Sequence, residues 1–265
     1  METDYQLEYQ VFENQTSSPS QIWLAFHGIG QNTEAYKNFA NQNNLKIYSF
    51  GLFYHEKNQS QFSRKREIDL AQWLRLMKDF LKNKNLESKK ISINIIGFSL
   101  GVRPTLQFVK HFSDSVIFDK IILIAPETLA VSNWYRFGTQ NLFGKFLLQK
   151  VVSSRKFKEL IIFVSSFIFP KSAQKLIRYQ IYHGISSLAS AWLAYRPFEI
   201  DGNDWEAISK KNERKIMIVA SENDAFVKLR HIQKFIRKNS FDKGKSIKWI
   251  LSTSPHARLL REFHL

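Results

Sequence analysis

Residues 97–101 read Gly97-Phe98-Ser99-Leu100-Gly101, directly between a β-branched apolar run, Ile91–Ile96, and a stretch of helical spacing, Val102–His111. Small residues two before and two after a serine allow a strand-to-helix turn so tight that the hydroxyl projects from the end of a sheet. Pro104 falls in the first turn of the helix, where a missing N–H costs nothing. Of only ten glycines, Gly28, Gly30, Gly97 and Gly101 sit at two strand-to-loop junctions. A strand, a sharp turn and a helix in that order call for a sheet with helices packed on its faces.

The remainder of the chain alternates in the same way. Tyr5–Phe12 (Leu7, Tyr9 and Val11 alternating with polar residues), Ile22–Phe26, Leu45–Phe50, Lys120–Ala125, Lys215–Ala220 and Ser246–Leu251 read as strands. Ala35–Asn41, Glu67–Leu81, Lys228–Lys238 and a short segment from Ala257 read as helices. The expected class is α/β with a mostly parallel sheet. From Glu127 to Ile200 no β-run appears; helical stretches (Phe143–Val152, Phe157–Phe169, Ala173–Tyr195) follow one another. The expected division is a core of 1–126 with 201–265, interrupted by a helical insertion, 127–200. At 265 residues, 44% hydrophobic and 23% charged, the chain can bury a large core and is not a disordered one.

The absence of cysteine excludes disulfides, thiolate nucleophiles and Cys-based metal sites. The seven histidines are dispersed and show no two-His zinc spacing, so no metal is expected. A serine nucleophile needs a base, and the base needs an orienting carboxylate. Among the histidines only His256 follows the last strand in a loop, Ser252-Thr253-Ser254-Pro255-His256; Asp224 follows the penultimate strand. Ser99, Asp224 and His256 thus each fall just past the C-terminal end of a strand, the edge where open parallel sheets bind ligands.

His27-Gly28-Ile29-Gly30, Gly97-Phe98-Ser99-Leu100-Gly101, Asp224 and His256 together resemble the α/β-hydrolase superfamily, of the serine hydrolase type with a helical cap. The resemblance implies a three-layer α/β-hydrolase fold in which residues 127–200 form the cap. It implies that Ser99 is the nucleophile, Asp224 the acid and His256 the base, with the backbone N–H groups of Leu100 and Ile29 as oxyanion donors. The implied reaction is hydrolysis of an ester or thioester, less often an amide or carbon–carbon bond, on a small acyl substrate and without a cofactor. Two features depart from the family pattern: the loop Phe50–Glu56 is aromatic, and Ser221 stands where a glycine is usual. Glu127, after the strand Lys120–Ala125, competes with Asp224 for the role of acid, although the order Ser, Asp, His favours Asp224. His27, Phe98, Trp134 and His183 are candidate substrate contacts. His55 reads as structural. The aromatic stretch Trp134, Tyr135, Phe137, Phe143 and Phe146 suits either an acyl pocket or core packing.

Net charge is +16, spread over small clusters (Arg64–Arg66, Lys89-Lys90, Arg155–Lys158, Lys210-Lys211) with no nucleic-acid-binding signature. The insertion carries ten Lys or Arg against three Glu, with Arg155–Lys158 expected on an exposed loop between two helical stretches. A solvated surface is the plainest reading of these charges; an anionic substrate or acidic lipid would also suit them. Met1–Gln10 is acidic and polar, unlike a secretory leader, so the expected compartment is the cytoplasm. The most apolar run, Leu160–Phe169, has about half the length of a bilayer-spanning helix. Two further classes remain: a binding protein that keeps the fold without catalysis, and an interfacial lipase or acyltransferase working at acidic lipid.

Overall fold

The computed structural model describes residues 7–13, 21–52, 67–87, 91–130, 133–168, 181–182 and 186–265. Strands β1 (Tyr9–Phe12), β2 (Ile22–Phe26), β3 (Lys46–Phe50), β4 (Ser92–Phe98), β5 (Ile117–Ile124), β6 (Ile216–Ser221) and β7 (Lys248–Ser252) form one sheet in the order β1-β3-β2-β4-β5-β6-β7. β1 pairs antiparallel with β3, Tyr9 opposite Phe50; every other pair is parallel. Strands covered on both faces need no polar side, and Ile93, Ile95 and Ile96 of β4 and Ile121–Ile124 of β5 have no exposed surface.

Among the described residues the α-helices are α1 (Lys37–Asn43), α2 (Leu70–Asn83), α3 (Val102–Phe112), α4 (Asn133–Gln140), α5 (Leu142–Ser153), α6 (Arg155–Ile168), α7 (Ser186–Ala194), α8 (Gly202–Lys211), α9 (Leu229–Asn239) and α10 (Leu259–Glu262). α2 starts where the Asp69 side chain accepts the Gln72 N–H, and it buries Trp73, Met77, Phe80 and Leu81, one face at helical spacing. The sequence reading missed α8, whose composition is polar. Its local signal is the capping box, in which Asp201 accepts the Asp204 N–H and Asp204 accepts the Asp201 N–H.

From β2 the chain moves to β3 on one side, and β4 then lies on the other side of β2. The carboxyl ends of β2 and β4 are therefore the switch point, the place at which open α/β sheets bind ligands.

The chain divides into two compact units, residues 1–56, 69–131 and 198–265, which hold the sheet, and residues 57–68 with 132–197. The divisions fall at 131/132 and 197/198 rather than at 126/127 and 200/201. Glu127 is tied to Arg103 of α3, and Phe198 packs edge-on against Trp73 of α2, so both ends of the expected insertion belong to the sheet unit. Glu67 and Ile68 group with the second unit: Ile68 N–H donates to Ala194 O, and Glu67 pairs with Lys145 and Arg196.

In that second unit Asn141 caps α5 by accepting the Phe143 and Gly144 N–H groups. Val152, Ala189 and Leu193 form a small core with Leu148, and Tyr135 packs edge-on against Trp192. Arg155–Lys158 are not a loop. They open α6, where the Ser154 hydroxyl accepts the Phe157 N–H, and Lys158 is buried with its amine 5.2 Å from the Tyr182 ring. Among the described residues no helix is long and apolar enough to cross a membrane.

Candidate active site

Ser99 follows β4 immediately and has φ +52°, in the left-handed region that L-residues other than Asn and Asp seldom occupy. The strain is held by packing on both sides. A Cβ on Gly101 would lie 2.1 Å from Phe26 O and 2.4 Å from His27 O, so only glycine lets α3 start this close to the end of β2. Inside α3 the Thr105 hydroxyl donates to Gly101 O at 2.8 Å.

His256 Nε2 lies 3.1 Å from Ser99 Oγ, and His256 Nδ1 lies 2.6 Å from Asp224 Oδ2. A carboxylate only accepts, so Nδ1 carries the ring proton and Nε2 presents its lone pair to the serine hydroxyl. The other carboxylate oxygen, Asp224 Oδ1, accepts the Phe226 and Val227 N–H groups, each at 2.8 Å. Burial alone pushes the Asp224 carboxyl up. The hydrogen bonds from His256 and the two backbone amides, with the attraction of His256, outweigh burial and hold it below its ordinary value of 3.8. Both oxygens are therefore engaged and the group stays ionised.

Strands lie about 4.8 Å apart, so the loops after β6 and β7 must lean back across the sheet to reach the end of β4. Two contacts bind them, Glu222 N–H to Ser252 O and Asn223 Nδ2 to Thr253 O, and within the first loop Asn223 N–H donates to Ser221 Oγ. The last explains the serine in place of glycine. Its hydroxyl accepts from the residue two positions on and closes the turn. The His256 ring lies between Phe98, buried, with ring centroids 5.1 Å apart, and Phe226, exposed, at 5.4 Å. Phe98 thus packs against the His256 ring as well as filling the core. Phe226 had no role in the sequence reading; its signal is its place two residues after Asp224.

Leu100 and Ile29 lie in the segments leaving β4 and β2, adjacent strands in which Phe26 pairs with Gly97. The loop at Ile29 is closed by Gln31, whose side chain accepts the Gly28 N–H and whose N–H reaches Gly28 O. Among the described residues neither the Leu100 nor the Ile29 N–H donates to a protein acceptor. Two free amides in neighbouring segments beside a serine can receive a developing negative charge.

Not every candidate joins this cluster. His27 has no exposed surface; its Nδ1–H donates to Gly28 O and its Nε2 accepts the Leu52 N–H, so it braces two loops instead of facing a ligand. Glu127 accepts from Arg103 Nη2 at 3.2 Å, not from His256. Tyr135 is buried against Trp192, whereas Phe137, Phe143 and Phe146 are exposed, so this aromatic stretch is not one packed cluster. His55, His183 and the Trp134 side chain lie outside the described residues. Among the described residues no three His, Asp or Glu groups gather as a metal site.

No family model and no curated protein matches the chain. Solved structures do. MenH from S. aureus is similar over 96% of this chain and 92% of its own, with TM-score 0.61 and 18% identity. A thermophilic esterase from Thermogutta terrifontis is similar over 96% and 87%, with TM-score 0.61 and 13% identity. An α/β hydrolase enzyme from a Medee basin deep-sea metagenome library covers 97% and 91%, with TM-score 0.57 and 14% identity. The chain has the three-layer α/β-hydrolase fold.

Proposed function

We propose that this protein is a serine hydrolase that cleaves an ester or thioester through an acyl-enzyme. The observation that carries the reading is the continuous line Asp224–His256–Ser99, with contacts of 2.6 and 3.1 Å. Ser99 Oγ attacks the substrate carbonyl as His256 Nε2 takes its proton. The oxyanion is met by the Leu100 and Ile29 N–H groups, each worth about 10²–10³ in rate in comparable sites. His256 returns the proton to the departing alcohol or thiol. Water, deprotonated by the same nitrogen, then releases the acyl group. Asp224 keeps Nδ1 protonated and the ring oriented. The scheme draws on no cofactor. That fold neighbours include esterases supports the reading without carrying it.

The test is turnover of p-nitrophenyl esters and acyl-CoA thioesters of graded chain length by wild type and Ser99→Ala. Wild type is expected to hydrolyse at least one series and to gain a covalent phosphonate on Ser99 from a fluorophosphonate probe. Ser99→Ala is expected to do neither while melting at nearly the same temperature. Turnover above about a tenth of wild type in that variant would overturn the assignment, since losing a triad serine costs about 10⁶ in a comparable enzyme. A wild-type protein that neither turns over nor labels would point to a binding protein on this fold.

A further inference from the structure

Cations concentrate in the segment that runs from α9 to β7, and five of them, Arg230, Lys234, Arg237, Lys238 and Lys243, line two neighbouring clefts. Residues 228–248 hold eight Lys or Arg (228, 230, 234, 237, 238, 243, 245, 248) and one carboxylate, Asp242. All eight are exposed, and among the described residues none pairs with a carboxylate. Asp242 is one charge against eight and makes no ion pair with them; its oxygens accept the Gly244 and Ser246 N–H groups at 2.8 and 2.6 Å. Along α9, Arg230, Lys234, Arg237 and Lys238 recur at the spacing that places them on one stripe, opposite buried Ile232 and Ile236.

Apolar groups stand beside this stripe. Two clefts share Gln233 and Arg237: one of about 440 Å³ among Arg230, Lys234 and Lys238, and one of about 210 Å³ that runs to Trp249 and Leu251 of β7. Trp249 and Leu251 share one face of the edge strand; Leu251 is 55% exposed and Phe241, in the connecting loop, 40%.

We propose that the face formed by α9 and β7 docks this protein on an anionic lipid bilayer. Unpaired cations interleaved with exposed Phe and Leu suit the headgroup boundary, where charge meets acidic lipid and the apolar tips enter the acyl layer. Nucleic acid would match the charge but leave Leu251 and Phe241 without a role. The residues involved are separate from Ser99, Asp224 and His256, so the proposal stands or falls independently of the hydrolase reading.

The experiment is flotation of the full chain with vesicles of phosphatidylcholine, alone or mixed with phosphatidylglycerol, at low and high salt, with single-stranded RNA as a competing ligand. Wild type is expected to float with the mixed vesicles only, and at least about tenfold less in 1 M salt, where the Debye length falls to about 3 Å. The variant Arg230→Gln/Lys234→Gln/Arg237→Gln/Lys238→Gln is expected to lose binding about tenfold or more with its melting temperature and ester turnover unchanged. Leu251→Ser is expected to weaken binding severalfold at unchanged charge. Arg230→Lys/Arg237→Lys keeps the charge and is expected to keep the binding, which separates loss of charge from misfolding. Equal flotation of wild type and the glutamine variant, no flotation with anionic vesicles, or binding of RNA with vesicles ignored would each overturn the proposal.

Discussion

Arg103 Nη2 donates to Glu127 Oε1 at 3.2 Å from a side chain with no exposed surface, and its Nη1 lies 3.9 Å from Glu199 Oε1. This buried pair ties the first turn of the helix behind Ser99 to the loop after β5. It also occupies the carboxylate that competes, in sequence, with Asp224. A buried cation without its partner is costly, so the pair holds Glu127 in place.

Asp224→Asn and Glu127→Gln therefore separate two roles. Asp224→Asn leaves His256 in the wrong tautomer and is expected to lower kcat by about 10⁴ with little change in KM. Glu127→Gln is expected to lower the melting temperature, because it strips charge from the partner of Arg103, with kcat within about tenfold of wild type. Steady-state kinetics and thermal unfolding on both variants check this; the reverse ordering would move the acid to the end of β5.

The acid limb of the stability profile follows from Asp224. A carboxyl held below its ordinary value of 3.8 favours the folded, ionised state above that value. Its contribution is complete above the unfolded value, about 3.9, and is lost as pH falls through the lowered folded value. Below about pH 4 wild type is expected to lose melting temperature more steeply than Asp224→Asn, which has no proton to bind there. Parallel curves for the two proteins would contradict the depressed value.

Gly101 and Gly30 are expected to respond differently to alanine. At Gly101 the new Cβ meets two carbonyl oxygens of β2 and the following residue within 2.4 Å, so α3 must move or the chain fails to fold. At Gly30 nothing lies within 4 Å and the cost is that of φ +77° alone, about 1–2 kcal/mol. Soluble yield and melting temperature distinguish the two.

His27→Ala tests the loop brace. It leaves the buried Leu52 N–H without an acceptor, at a cost of about 1–3 kcal/mol, and loosens the segment that carries Ile29. The expected result is a lower melting temperature and a lower kcat with KM unchanged. A raised KM at unchanged kcat would mean that His27 contacts substrate after all.

What the sequence determined by itself was local. The Gly97–Gly101 turn, the buried runs of β4 and β5 and the positions of Asp224 and His256 after their strands depend on neighbours a few residues away, and periodicity and turn chemistry report such neighbours. Where elements began in the helical segment was less legible: Ser154 as a cap, which turned Arg155–Lys158 from loop into helix, is a weak signal in a polar stretch. Only the tertiary structure separates Asp224 from Glu127: both follow strands, and the folded sheet brings Asp224 to His256 and Glu127 to Arg103. The same holds for the apolar residues beside the cations of α9. The run of Lys and Arg is visible in the sequence, but only the fold lays Trp249 and Leu251 of the edge strand beside Arg237, since pairing across a sheet is set by the packing of the whole core.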